Sequence, residues 1–447
     1  MKVWSARLAM LLGSLALVGN MVGSARAEPI MSTPAPGGAA AAAQPPEITD
    51  AIAKFKGMDF DGALASLKAA VAKNRDLAPA QVLMANLYAQ VNRPVDARMS
   101  LERAVLEEPA DPEAYVILAT VAIQDRRVTE ADLLLTYAKS LLDQFEKSPV
   151  RKKALLTATD SGLAAVAEAR GDFATAKKYL ENWLSLDKNS AVAHQRLAGA
   201  LFQQKDYAKS LEELKAAKDL DPKVLTPQAT LALLYEAAGD HDRATQWMDA
   251  ALKDAPKDFA TQMAAAQWAA QTSQFDVARK YADAALALKP DALEAKLVLG
   301  VIDLLLKDYA AAESQFEAAL VQSPSSFAAS NNLALALAEQ DPAKQRKAVE
   351  YAEMNVRQYP KQAEAFSTLG WVYYKNGRLN EAGQALQTAL SAGQLSPDTA
   401  YYLAKVLVAG DKPEGKKTAK QFLEAALKIK ALFSMRKEAQ ALLDSLK

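Results

Sequence analysis

Cysteine is absent from all 447 residues, which excludes disulfides, thiolate nucleophiles, cysteine-ligated zinc and a lipid-modified cysteine. Histidine is nearly absent. His194 and His241 are the only two, too few and too separated in sequence for a paired-histidine metal motif or an obvious catalytic triad. Net charge is lacking as well: Lys+Arg and Asp+Glu both number 53, without the cation excess a nucleic-acid binder needs against phosphate, so no nucleic-acid partner is expected. Aromatics are only 7% of a chain that is 51% apolar, so Ala and Leu carry most of the hydrophobicity. That composition suits helices. No window alternates strictly between apolar and polar residues, so the expected fold class is all-α.

The one long apolar run lies at the start. Lys2 and Arg7 precede an apolar stretch from Leu8 to Val18, and Ala25-Arg26-Ala27 supplies a small-residue cleavage site, so residues 1–27 read as a cleaved secretory signal peptide. Gly13, Ser14, Gly19 and Asn20 interrupt the run, which falls short of the ~20 residues needed to span a membrane. Cleavage removes Lys2, Arg7 and Arg26 and no acid, leaving 50 basic against 53 acidic residues, a net charge of −3. Residues 28–47, with Pro34, Pro36, Gly37, Gly38, five alanines from Ala39 to Ala43 and Pro45-Pro46, lack bulk to bury and read as a disordered tether. No second hydrophobic span follows, so the mature chain is expected to have no integral membrane span. A periplasmic location is expected, with secretion as the alternative.

Self-similarity is the strongest signal. Phe173, Tyr207, His241, Phe275 and Tyr309 stand 34 residues apart, as do Pro222, Pro256, Pro290 and Pro324. Ala176, Ala244, Ala278 and Ala312 share the period, with Ser210 replacing alanine once. Each unit reads as two helices. The first carries a Leu-Ala or Leu-Gly pair and then an apolar or aromatic residue, as in Leu197-Ala198 with Leu201, Leu231-Ala232 with Tyr235 and Leu369-Gly370 with Tyr373. A turn such as Gly171-Asp172-Phe173 or Lys205-Asp206-Tyr207 leads to the second, where Ala312, Phe316 and Ala319 share one face and small residues allow close approach. Proline five residues further on ends that helix.

These residues resemble the tetratricopeptide repeat family, whose 34-residue helix–turn–helix pattern they match. The resemblance implies a right-handed superhelical solenoid of about eleven repeats. Starts fall near Gln44, Ala78, Pro112, Thr157, Ala191, Leu225, Phe259, Leu293, Phe327, Ala363 and Pro397, placing three repeats in 48–138 and eight in 157–429. Between them, 139–156 reads as an insertion with lengthened helices, because Leu141, Leu142 and Phe145 keep helical spacing. Residues 430–447 read as a solvent-facing capping helix with Leu432, Met435, Leu442 and Leu446 turned inward.

Several candidates for chemistry have simpler readings. His241 occupies the turn position held by Phe or Tyr in other repeats and reads as structural; His194 reads as a packing or groove residue. Gly410 to Thr418 approximates a phosphate-binding G-x-x-x-x-G-K-[ST] loop, but the Thr falls one residue late and no strand precedes it, so an exposed inter-helix loop is expected. Residues 405–447 hold 10 basic and 5 acidic residues, interspersed, which reads as a solvated end. No cofactor, metal or catalytic residue is expected.

The resemblance implies protein–protein binding on an inner wall of first helices, by an extended peptide or a partner helix. The family's inner-wall positions fall on Gln195, Phe202, Met263, Gln267, Gln271, Leu297, Val301, Leu304, Leu305, Asn331, Leu335, Trp371, Tyr374, Tyr401 and Lys405. The central part is apolar and the C-terminal part aromatic, in the manner of interface hot spots; packing between helices is the competing reading for Leu297, Val301 and Leu304. The expected function is a non-enzymatic periplasmic adaptor, and resemblance to exported members implies an envelope complex or polysaccharide-export machinery as its setting. The alternative is a chaperone-like holdase or glycan carrier with no single fixed partner. Stoichiometry separates the two.

Overall fold

The structure is a computed structural model that describes residues 45–446 apart from 394, 430–432 and 434. The expected signal peptide, nearly all of the expected tether, the start at Gln44 and the inward Leu432 lie outside the described residues. Those residues form 23 α-helices and no strand, in two compact units that divide between Ala238 and Gly239.

The first unit holds α1 (Pro46–Lys56), α2 (Phe60–Lys73), α3 (Ala80–Gln90), α4 (Pro94–Glu107), α5 (Glu113–Gln124), α6 (Val128–Asp143), α7 (Pro149–Arg170), α8 (Phe173–Leu186), α9 (Ala191–Gln203), α10 (Tyr207–Leu220) and α11 (Pro227–Ala238). The second holds α12 (His241–Asp254), α13 (Phe259–Gln271), α14 (Phe275–Leu288), α15 (Leu293–Leu305), α16 (Tyr309–Gln322), α17 (Phe327–Ala338) and α18 (Pro342–Gln358). It continues with α19 (Ala363–Lys375), α20 (Leu379–Ala392), α21 (Pro397–Ala409), α22 (Pro413–Lys428) and α23 (Arg436–Ser445). Within each unit consecutive helices pack as pairs, and each pair packs on the next.

The period has a backbone basis. Gly171, Lys205, Gly239, Ser273 and Lys307 all take left-handed φ values, between 62° and 81°, and stand one period apart. Each ends a first helix. The next residue then donates its N–H to a carbonyl five back, as Asp172 does to Ala167 and Asp206 to Leu201, closing the helix terminus in a Schellman arrangement. Except at Gln274, that same residue caps the second helix with its side chain. The Asp172 carboxylate accepts from the Thr175 N–H at 3.1 Å, Asp206 from Lys209 and Asp308 from Ala311. The aromatic is thus the first helical residue, and the periodic proline falls two residues past each helix end, where no further turn can form.

Packing between the paired helices is close. Ala312, Phe316 and Ala319 are fully buried, as are Ala244, Met248 and Ala251. Ser210 stands in the alanine ladder without penalty because its hydroxyl donates to the Ala198 carbonyl at 2.8 Å.

The long helices of the expected insertion are α6, of 16 residues, and α7, of 22. Phe145 departs from its reading: α6 stops at Asp143, and Phe145 lies beyond it, buried with Leu142 and Leu155. Arg151 secures this segment by bonding Asp111 and Glu113 across nearly 40 residues. Gly410 to Thr418 also departs from the expected loop, since Pro413 opens α22 and carries the stretch from Pro413 to Thr418 into helix. Likewise Pro46 and Glu47, read as tether, belong to α1. The last helix is shorter than expected, with Leu443 its buried leucine and Met435, Leu442 and Leu446 half-buried beside it.

Candidate functional site

In the second unit the first helices α13, α15, α17, α19 and α21 carry most of the residues expected on the inner wall. On α13 every residue from Thr261 to Ala270 is buried, Met263 and Gln267 included, with Gln271 half-buried at its end. Val301 is buried while Leu297, Leu304 and Leu305 are half-buried, all in one cluster with Phe316, Leu333 and Leu337. Asn331 and Leu335 are buried on α17. Gln267 Nε2 and Asn331 Oδ1 meet no hydrogen-bond partner among the described residues.

The C-terminal group is drawn together. Trp371 stacks on Tyr374 with ring centroids 5.2 Å apart and on Tyr402 at 4.4 Å, with Tyr401 at 6.0 Å. The Lys405 ammonium lies 5.8 Å over the Tyr374 ring, and Leu335 joins the same buried cluster. Glu339 fixes the indole: Trp371 Nε1 donates to Oε1 at 2.7 Å while Lys375 Nζ donates to Oε2 at 2.9 Å. Burial, reinforced by the charge of Glu438 and by Tyr374, pushes the Tyr401 phenol up to about 12. Tyr309 is likewise pushed up to about 12 by burial, with Glu339 and Glu438 adding to it.

Gln195 and Phe202 belong to the first unit. Both are buried on α9, and Phe202 forms an aromatic triad with Tyr207, 5.1 Å away, and Tyr235, 4.8 Å away. Phe55, Phe60 and Tyr88 repeat that triad in α1, α2 and α3. His194 shares its Nδ1 with Glu213, and His241 is the first residue of α12, its carbonyl accepting from Thr245. Among the described residues no three His, Asp or Glu side chains group as a metal site would require, and no helix is long and apolar enough to cross a membrane.

Sequence reasoning missed four residues of this site. Tyr402 is the most buried of its aromatics, yet its neighbour Tyr401 was the one read as facing the wall. Glu339 and Lys375 sit 32 and 4 residues from Trp371, and a charge at the end of a first helix offers little warning of such a role. Phe433, 6.3 Å from Tyr401, enters from beyond the last pair.

Tetratricopeptide repeat models match residues 58–121 and 167–225, 263–326 and 306–353, and 363–392, together more than half of the chain. The chain belongs to the tetratricopeptide repeat family. Solved structures similar to this tetratricopeptide array include yeast Tom70, 14% identical over 90% of this chain and 95% of that one, with a TM-score of 0.39. A tetratricopeptide repeat protein from Parabacteroides merdae is 14% identical over 65% of this chain and 98% of that one, with a TM-score of 0.39. PilW, a widely conserved type IV pilus biogenesis factor, is 21% identical over 49% and 96%, with a TM-score of 0.38. No curated protein matches the chain. Tetratricopeptide repeat proteins generally mediate protein–protein interactions, and the repeat fold is typically a non-catalytic scaffold.

Proposed function

We propose that this chain is a non-enzymatic periplasmic scaffold that takes up a partner protein segment on the first-helix wall of its second unit, in envelope assembly or export. The observation that carries the reading is the convergence of Trp371, Tyr374, Tyr401 and Lys405 on one stretch of wall. Large aromatics with a cation over a ring face supply contact area at little entropic cost, which is why such groups dominate interface hot spots. The wall is helical, so a helix or an extended peptide is the natural occupant. The compartment is supported by Lys2, Arg7, the apolar run from Leu8 to Val18 and Ala25-Arg26-Ala27.

In-cell photo-crosslinking tests the reading, with a photoreactive residue replacing Tyr374 in one strain and the exposed outer-face Leu106 in another. A single dominant envelope protein captured from position 374 and not from 106 is the expected result. A diffuse set of captured clients, or capture from position 106 alone, would overturn it.

A further inference from the structure

The last helix does more than close the array. A terminal cap covers the final pair, because in a repeat array each pair touches its neighbours. Helix α23 does pack on α22, but it also carries Glu438 back to Lys307, in the turn between α15 and α16, an ion pair spanning 131 residues and three helical pairs. Its apolar face, marked by Met435, Ala439 and Leu443 at four-residue steps, joins one cluster with Leu335, Trp371 and Tyr401. Glu438 also stands near enough to Tyr309 and Tyr401 for its charge to act on both phenols. Three of the candidate wall residues are therefore buried in a cluster that the chain's own last helix helps to build.

We propose that α23 is a displaceable occupant of this wall, and that the partner it stands in for is an amphipathic helix of the same chemistry. That helix presents a large apolar residue, a small one and a leucine at four-residue steps, with a carboxylate beside the small residue to meet Lys307. The inference rests on the binding function proposed above and names its partner class. Displacement is easy on three counts. At ten residues α23 is shorter than a helix that holds itself in water, so its order depends on its packing against α22 and the shared apolar cluster. Its ion pair is 53% and 31% exposed, in the range where such pairs contribute little. Its firmest polar anchors lie elsewhere: Arg436 donates to the carbonyls of Leu427 and Ile429, at 2.9 and 2.6 Å, holding the helix start to the end of α22. The helix can thus leave the wall without leaving the chain.

A fluorescent peptide of sequence Phe433–Leu446, offered in trans and followed by anisotropy, tests this on full-length protein. One variant loosens α23 by Ala439→Asp with Leu443→Asp. Another carries Lys307→Cys with Glu438→Cys, bridged by a bis-maleimide, which a chain without native cysteine accepts at those two sites alone. Expected are binding about tenfold tighter to the loosened chain than to the native one, and loss of binding on bridging. A loosened chain of unchanged helicity that gains no affinity would overturn the proposal. Should the loosened chain lose helicity, the bridged and unbridged cysteine chains decide: equal binding overturns the proposal, and loss on bridging supports it. Failures also separate. A cellular partner captured equally by native and bridged chains sinks the displacement but leaves the scaffold reading intact, while peptide binding as expected with no captured partner does the reverse.

Discussion

At Gly300 an added Cβ would stand 2.7 Å from the Phe316 ring, and at Gly370 it would stand 2.4 Å from Leu386. Glycine is demanded there by the bulk of the facing side chain. Gly300→Ala is expected to cost about 1–3 kcal/mol, and Phe316→Leu should reduce that cost, a coupling that urea titrations of a double-mutant cycle would measure. Gly171 and Gly239 differ, since nothing lies within 4 Å of their missing side chains and only their left-handed backbone matters. At Lys205 the same backbone is held by a lysine, so Lys205→Gly is expected to raise stability by about 0.5–1 kcal/mol, read as a higher urea midpoint. The phenols give a pH signature. Tyr309 and Tyr401, with folded values near 12, lie above the unfolded tyrosine value of about 10. Their contribution is therefore complete below pH ~10 and is lost as the pH rises through ~12. Phenolate absorbance should lag most for these two rings, with Tyr88, Tyr115, Tyr281 and Tyr373 also raised by burial, and helicity should fall across that window.

Caps and turns govern the elements. Ser326→Ala removes the hydroxyl that accepts from the Ala329 N–H at the start of α17, and is expected to cost about 1 kcal/mol in thermal unfolding. The Asp172 carboxylate is held below its ordinary range by its hydrogen bonds to Thr175. Its support is full above the unfolded carboxylate range and fades as the pH falls through the depressed value. Arg151→Ala should be costlier, about 3 kcal/mol, because it strips the buried Asp111 and Glu113 of the guanidinium they share. The paired helices were legible because the central units share local devices: a left-handed turn residue, an aspartate cap at Asp172, Asp206, Asp240 and Asp308, an aromatic at the first helical position and, from Pro222 to Pro324, a proline after the last. Departures arose where local devices mislead. Pro413 looks like a loop residue but starts a helix, and Phe145 keeps helical spacing past the end of α6. The site was half legible: the aromatic positions followed from the repeat register, whereas Glu339 and Phe433 matter only through contacts that no local pattern announces.

For the molecule as a whole, chemistry is confined to surfaces. The first unit presents apolar side chains outward on its second helices, with Val95, Leu106 and Leu133 each more than 65% exposed. The second unit gathers Trp371, Tyr401 and Tyr402 into a buried cluster that Ala439 and Leu443 of α23 share. In the cell, photo-crosslinking from position 374 therefore reports on the half-buried edge of that cluster and from position 106 on an exposed surface, and comparing the two separates a partner that meets the wall from one that ignores it.

The reach of Glu438 to Lys307 also bears on the order of assembly. The other side-chain hydrogen bonds described above close loops of at most 40 residues, as expected of a chain that folds by adding one pair to the next. This contact closes 131. It cannot form until the pairs from α15 to α22 stand in place, so α23 arrives last in folding and departs first in unfolding. During synthesis, which delivers the chain from its N-terminus, the wall residues up to α21 emerge before the helix that shares their cluster.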